Sequence, residues 1–176
     1  MDRPRPLFLV GFMGSGKSSV GAEIGRRLGW ELVDTDRRIE ERSGKPIESI
    51  FRTDGEGTFR RLEWEVLSDL VDEPLSAPGR VVATGGGLYL GYAQRRLIRG
   101  AGTSVWLDLP LEVVRRRVGA GEGRPLWQGL DAVALRVMFD KRRAVYALAD
   151  RRVDAAGGDA AWVADRILGQ KPPILD

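Results

Sequence analysis

Two rhythms of apolar and polar residues take turns along this chain. Short, nearly continuous apolar runs predict strands at about 6–11, 31–34, 80–84, 103–108 and 151–154. Their Val and Leu content suits strands covered on both faces. Between them apolar residues recur every three or four positions. This predicts amphipathic helices at about 16–29, 35–43, 56–72, 91–99, 111–118, 131–148 and 158–169. In the first helix Val20, Ile24 and Leu28 share one face. Such alternation defines an α/β domain built on a parallel sheet. Ser43-Gly44 followed by Pro46 reads as a helix stop. The 44–57 region reads as a short helix and loop inserted between the second strand and its next helix. Residues 119–129, with four glycines and Pro125, resist regular structure and form a candidate lid.

The 176 residues suit one domain spanning 1–176, with 43% apolar and 30% charged positions. No run approaches the roughly 18 apolar residues of a membrane span. The N-terminal apolar stretch runs straight into a glycine-rich loop that a cleavable signal would disrupt, so a cytoplasmic location is expected. With no cysteine and no histidine, disulfides, thiolate zinc sites and a cysteine nucleophile are excluded. Proton transfer then falls to a carboxylate, a lysine or water. The net charge is only +3, but residues 115–152 carry ten Lys/Arg against four Asp/Glu. That segment lacks interleaved exposed aromatics, so its cations are assigned to a polyphosphate. Neither a nucleic-acid nor a membrane partner is expected.

The polyphosphate site is Gly11–Ser18, a complete G-x-x-x-x-G-K-[ST] loop lying between an apolar run and an amphipathic one. A strand feeding a glycine-rich turn into a helix presents backbone N–H groups and a helix N-terminus to phosphates. Gly14, Ser15, Gly16, Lys17, Ser18 and Ser19 are the candidate nucleotide contacts, with Lys17 reaching the β/γ-phosphates and the Ser18 hydroxyl ligating Mg²⁺. The chain is expected to bind a nucleoside triphosphate.

Further constellations follow in order. Asp34-Thr35-Asp36 ends the second strand, where parallel sheets bind ligands. One carboxylate can serve the metal and the other a substrate hydroxyl; alternatively the pair caps the next helix. Arg60 and Glu63, at i,i+3, form either a surface ion pair or an oriented clamp for an anionic group. Gly85-Gly86-Gly87 after the third strand is either a flexible turn or a place of close approach. Arg124-Pro125-Leu126 and the Asp140–Arg143 run offer cations to a transferring phosphoryl group, or else are solvated surface.

Taken together these residues resemble the shikimate kinase family. The loop, the D-x-D pair Asp34 and Asp36, and Phe59-Arg60-Arg61-Leu62-Glu63 match its motifs in order. So do Gly85–Gly87, Arg124-Pro125-Leu126, and Arg142 with Tyr146. The resemblance implies a three-layer P-loop NTPase fold with a five-stranded parallel sheet, nucleoside-monophosphate-kinase-like. It also implies an acceptor-binding region at about 35–63 and a lid at about 119–129. It implies ATP as co-substrate and phosphorylation of shikimate at its 3-hydroxyl, by a protein working as a monomer. Ser18 and Asp34 would serve Mg²⁺, and Asp36 would be the base. Arg60 and Arg142 would grip the carboxylate, with Gly85, Gly86 and Gly87 beside the ring. Arg124 would close over the phosphates and Arg117 would stack on adenine. The chain departs from the family at Ala144, where Pro is usual, and at 155–159, which lacks the frequent Arg-x-Pro. Two other readings are weighed. A kinase of another polyol acid such as gluconate would carry a histidine-containing acceptor motif, absent here. A catalytically silent relative would have lost the D-x-D or the acceptor arginine.

Overall fold

The computed structural model describes residues 5–75, 78–119 and 131–169. Among these residues five parallel strands form one sheet: β1 (Leu7–Val10), β2 (Glu31–Asp34), β3 (Arg80–Ala83), β4 (Thr103–Asp108) and β5 (Arg151–Asp154), in the order β2-β3-β1-β4-β5. Among the described residues eight helices connect and cover it: α1 (Lys17–Leu28), α2 (Thr35–Ser43), α3 (Ile47–Thr53), α4 (Gly55–Asp72), α5 (Tyr92–Ala101), α6 (Leu111–Val118), α7 (Ala132–Tyr146) and α8 (Ala160–Leu168). Every residue of β1 is buried, as expected of a central strand with helices on both faces. Val20 and Ile24 of α1 pack into the core as the period predicts, and Leu28 is half-buried against it.

From β1 the chain moves out to β2 and returns through β3, then crosses to β4 on the other side. The carboxyl end of β1 is therefore a switch point, where open α/β sheets leave a crevice. Strand register sets what meets there. Asp34 stands opposite Ala83, and Val10 opposite Trp106. Hence the phosphate loop, the D-x-D pair and the triple glycine all leave the same edge of the sheet.

The element boundaries predicted from the apolar pattern hold to within two residues, with three differences. The 44–57 insertion does contain a short helix, α3, but it follows α2 rather than lying between the second strand and its next helix. Gly44, with φ of 67°, ends α2 and lets the chain turn at once into Pro46 and α3. A single 3-10 turn, Leu88–Leu90, was not expected; amides of Leu88 and Leu90 bond back to the carbonyls of Gly85 and Gly87, each at 3.1 Å. Third, Arg80, read from the sequence only as part of a strand, opens β3 fully buried. It bonds to the Leu70 carbonyl and to Glu31, both at 2.9 Å, which offsets the cost of burying its charge.

Candidate active site

The phosphate loop turns on Gly11, Gly14 and Gly16, whose φ values of 143°, 73° and 89° would strain any side chain. Lys17 is buried and folds back over the loop. Its Nζ donates to the carbonyls of Gly11 and Phe12, both at 2.9 Å, and to Ser15 Oγ at 3.3 Å. The cation is thus held at the mouth of a helix N-terminus, where a polyphosphate is favoured. Ser18 and Ser19, in the first turn of α1, line the same cleft of about 680 Å³.

Asp34 divides its two oxygens between both readings left open by the sequence. Oδ1 caps α2, accepting from the amides of Asp36 at 3.0 Å and Arg37 at 3.3 Å. Oδ2 accepts from Ser18 Oγ at 2.5 Å. Asp36 is therefore not the cap. Its carboxylate faces Gly85, where an added Cβ would collide with Asp36 Oδ1 and lie 3.3 Å from Glu63 Oε1. Gly85 itself is buried behind the cleft, its amide donating to Thr35 Oγ1 at 2.8 Å. Gly86 and Gly87 line the cleft. A Cβ on Gly87 would strike the Arg60 guanidinium, so here glycine leaves room for charged groups of this protein as much as for a ligand.

Arg60 is held from two sides. Nη1 donates to Glu63 Oε2 at 2.6 Å, while Nη2 and Nε share Glu56 Oε1 at 2.9 and 3.2 Å. The surface-pair reading fails because the Glu63 side chain is only 2% exposed. Burial works against the Arg60 charge, but Glu63 and Glu56 outweigh it and hold the guanidinium above its ordinary value. The two ends of this pair pull apart. Burial pushes the Glu63 carboxyl up from 4.5, nearby Asp36 adds to this, and Arg60 and Arg142 only partly oppose it. Burial dominates at Glu63, which is the more enclosed partner and whose Oε1 has no hydrogen-bond partner among the described residues.

A test follows. Because the folded pKa of Glu63 lies above its unfolded value, its contribution to stability is complete below about pH 4.5 and is lost as pH rises through the folded pKa. Glu63→Gln mimics the protonated form. Its melting temperature should rise relative to wild type as pH increases from 4.5 to 8, while acceptor KM worsens because Arg60 loses its anchor. A difference in melting temperature that stays flat across this range would mean that burial does not govern Glu63.

On α7, Arg142 lines the cleft with its Cζ 5.5 Å from the centroid of the Phe12 ring. The next residue, Arg143, turns away to Asp108 at 2.9 Å and lies over Trp106. The helix thus resolves which of two adjacent arginines enters the cleft. Arg117, from the last turn of α6, also lines the cleft, and its Nη2 lies 3.5 Å from the Ala155 carbonyl. Arg124 and the candidate lid beyond Gly119 lie outside the described residues. Sequence reasoning missed the wall formed by Glu40, Ile47 and Phe51, where Phe51 packs on Phe59 with centroids 4.7 Å apart. Only the short apolar spacing of α3 signals it. It also gave no role to Tyr146, whose hydroxyl donates to the Gly86 carbonyl.

Oxygen donors beside a phosphate loop suit a hard cation that completes its shell with phosphate oxygens and water. The Ser18–Asp34 pair has that chemistry, while no cluster of three or more His, Cys, Asp or Glu among the described residues could hold a metal alone.

Fold and cleft together define a P-loop kinase with the nucleoside-monophosphate-kinase-like architecture. The shikimate kinase family model matches residues 13–171. The shikimate kinase of Persephonella marina is 40% identical over 166 residues, covering 94% of this chain and 98% of its own. The solved structure of shikimate kinase from Acinetobacter baumannii in complex with shikimate superposes with a TM-score of 0.85. It is 32% identical and covers 93% of this chain and 90% of that one. The chain belongs to the shikimate kinase family. A gluconokinase from Sinorhizobium meliloti, 20% identical with a TM-score of 0.53 over 93% of this chain and 89% of its own, shares the fold alone.

Proposed function

We propose that this chain transfers the γ-phosphoryl group of ATP to the 3-hydroxyl of shikimate, a step toward chorismate and the aromatic amino acids. One observation carries the reading: a single cleft joins the phosphate loop to a pocket where Asp36 stands beside Arg60 and Arg142. A small acceptor with hydroxyls at one end and a carboxylate at the other fits that polarity. In this reading Asp36 takes the proton of the attacking hydroxyl. The 3-hydroxyl oxygen forms a bond to the γ-phosphorus as the bridging P–O bond to ADP breaks. Lys17 and the loop amides hold the β/γ-phosphates, and Arg60 and Arg142 hold the acceptor carboxylate. Arg117, beside the Ala155 carbonyl, takes the adenine side. Ser18 and Asp34 would hold Mg²⁺, which when bound neutralises charge on the phosphates.

The same reading has one domain, with the acceptor region at about 35–63, acting as a monomer in the cytoplasm. Among the described residues no helix is long and apolar enough to cross a membrane. An ADP-release assay with shikimate, its carboxamide, gluconate and other hydroxy acids tests it. Shikimate should be turned over, and the carboxamide should lose roughly 10²–10³ in kcat/KM, because two half-buried guanidiniums would lack their charged partner. ATP KM should stay nearly constant. Faster turnover of gluconate would change the acceptor. A melting temperature raised by ATP with no ADP release from any acceptor would leave a silent relative.

A further inference from the structure

Arg143 is a cation of α7 to which the reaction above gives no part, although it adjoins Arg142. Its guanidinium forks onto one carboxylate: Nε donates to Asp108 Oδ1 at 3.2 Å and Nη2 to Oδ2 at 2.9 Å. Asp108 ends β4 with its side chain only 6% exposed, so cations rather than water balance its charge. Arg152 of β5 reaches the same Oδ2 at 2.5 Å. Both guanidiniums lie over the Trp106 ring, at 5.7 and 5.1 Å from its centroid. The strand end that bears Asp108 is itself firmly seated. Its carbonyl accepts from the Ala155 amide at 2.9 Å, and the neighbouring Leu107 carbonyl lies 2.9 Å from where a Cβ on Gly11 would stand. The anchor of Arg143 is therefore fixed against the sheet edge from which the phosphate loop leaves.

Helix geometry turns that anchor into a constraint on the cleft. Neighbouring residues stand about 100° apart around a helix, so the azimuth of Arg143 dictates that of Arg142. For a side chain roughly 6 Å from the axis, a rotation of about 10° is a displacement of about 1 Å. The apolar contacts of α7, such as Phe139 edge-on to Phe12 at 5.2 Å, set its depth on the core. Such contacts have little directionality, whereas a two-bond fork defines an angle. We propose that Asp108 and Arg143 are positioning residues: their fork fixes the rotation of α7, and so holds Arg142 where the cleft receives an anionic acceptor group.

This inference rests on the acceptor assignment made above, and the test separates the two. Steady-state kinetics would compare wild type, Arg143→Ala, Asp108→Asn, their double variant and Arg152→Ala, varying shikimate and ATP independently, with melting temperatures alongside. Nearly half of the Arg143 side chain is in solvent, and Asp108 keeps Arg152 when Arg143 is truncated, so Arg143→Ala should fold. It should raise acceptor KM by roughly fivefold to tenfold, short of the ~10² that a misplacement of about 1 Å can cost, because Phe139 still holds the helix. ATP KM should stay within about twofold. Asp108→Asn should match it, and the double variant should be no worse than either single one, since both break the same fork. Arg152→Ala removes a cation from the same carboxylate without touching α7, and should leave acceptor KM at the wild-type value. An acceptor KM raised as much by Arg152→Ala, additive effects in the double variant, or equal changes in both KM values would overturn the proposal and leave a structural ion pair. A readout independent of the acceptor is the Arg142 Nε–H resonance in ligand-free protein, which the Phe12 ring current displaces. It should move in Arg143→Ala and not in Arg152→Ala, and an unmoved resonance in Arg143→Ala would overturn the proposal. Wild type failing to use shikimate while this resonance still moves would remove the substrate name and keep the positioning role.

Discussion

Lys17→Ala is expected to lower kcat by ~10²–10³, the usual cost of removing one positioned charge from a phosphoryl-transfer transition state. The reason is specific to this loop. Nζ is held between two backbone carbonyls and Ser15, so the charge arrives already oriented and needs no reorganisation when phosphates bind. The truncation also leaves those acceptors without their donor, and a small loss of stability, on the order of 1–2 kcal/mol, should accompany it. Circular dichroism melts separate the two effects: the protein should stay folded at assay temperature while ADP release nearly stops. A kcat within severalfold of wild type would refute the phosphate role of Lys17.

Asp36→Asn should lower kcat by ~10²–10⁴, the range for losing a positioned general base, while ATP KM changes little. A capping role would have predicted near neutrality, since Asn caps about as well as Asp. That escape is closed here, because Asp34 accepts both amide bonds at the start of α2. The amide keeps the shape of the side chain against Gly85, so a drop in rate would report lost proton acceptance rather than lost packing. Kinetics matching wild type would send the proton elsewhere and remove Asp36 from the mechanism.

Much of the molecule was legible in the residues because it depends on local physics. Apolar period marks strands and helices, since burial of one face or both decides whether a segment folds onto the core. Gly11, Gly14 and Gly16 announce a left-handed, close-approach turn because other residues resist positive φ. The order of the motifs was enough to expect a kinase of this family, and the family match bears this out. Position 80 was read only as strand, because no local pattern announces an arginine whose partners lie at Glu31 and Leu70.

What the chain determined by itself, then, was its alternation of strands and helices, its phosphate loop and the types of charged group available near it. The tertiary structure decided how those groups divide the work. The pairing of β2 with β3 brought the triple glycine against Asp36 and left Asp34 to serve both cap and cleft. The rotation of α7 on Phe12 and Trp106 sent Arg142 into the cleft and Arg143 away from it. Enclosure turned Glu63 from one half of an ordinary i,i+3 pair into a carboxylate that resists its charge. Each of these outcomes depends on which remote segments surround a side chain. Burial, and the strength of every charge within it, is a property of the assembled packing, which no window of sequence contains.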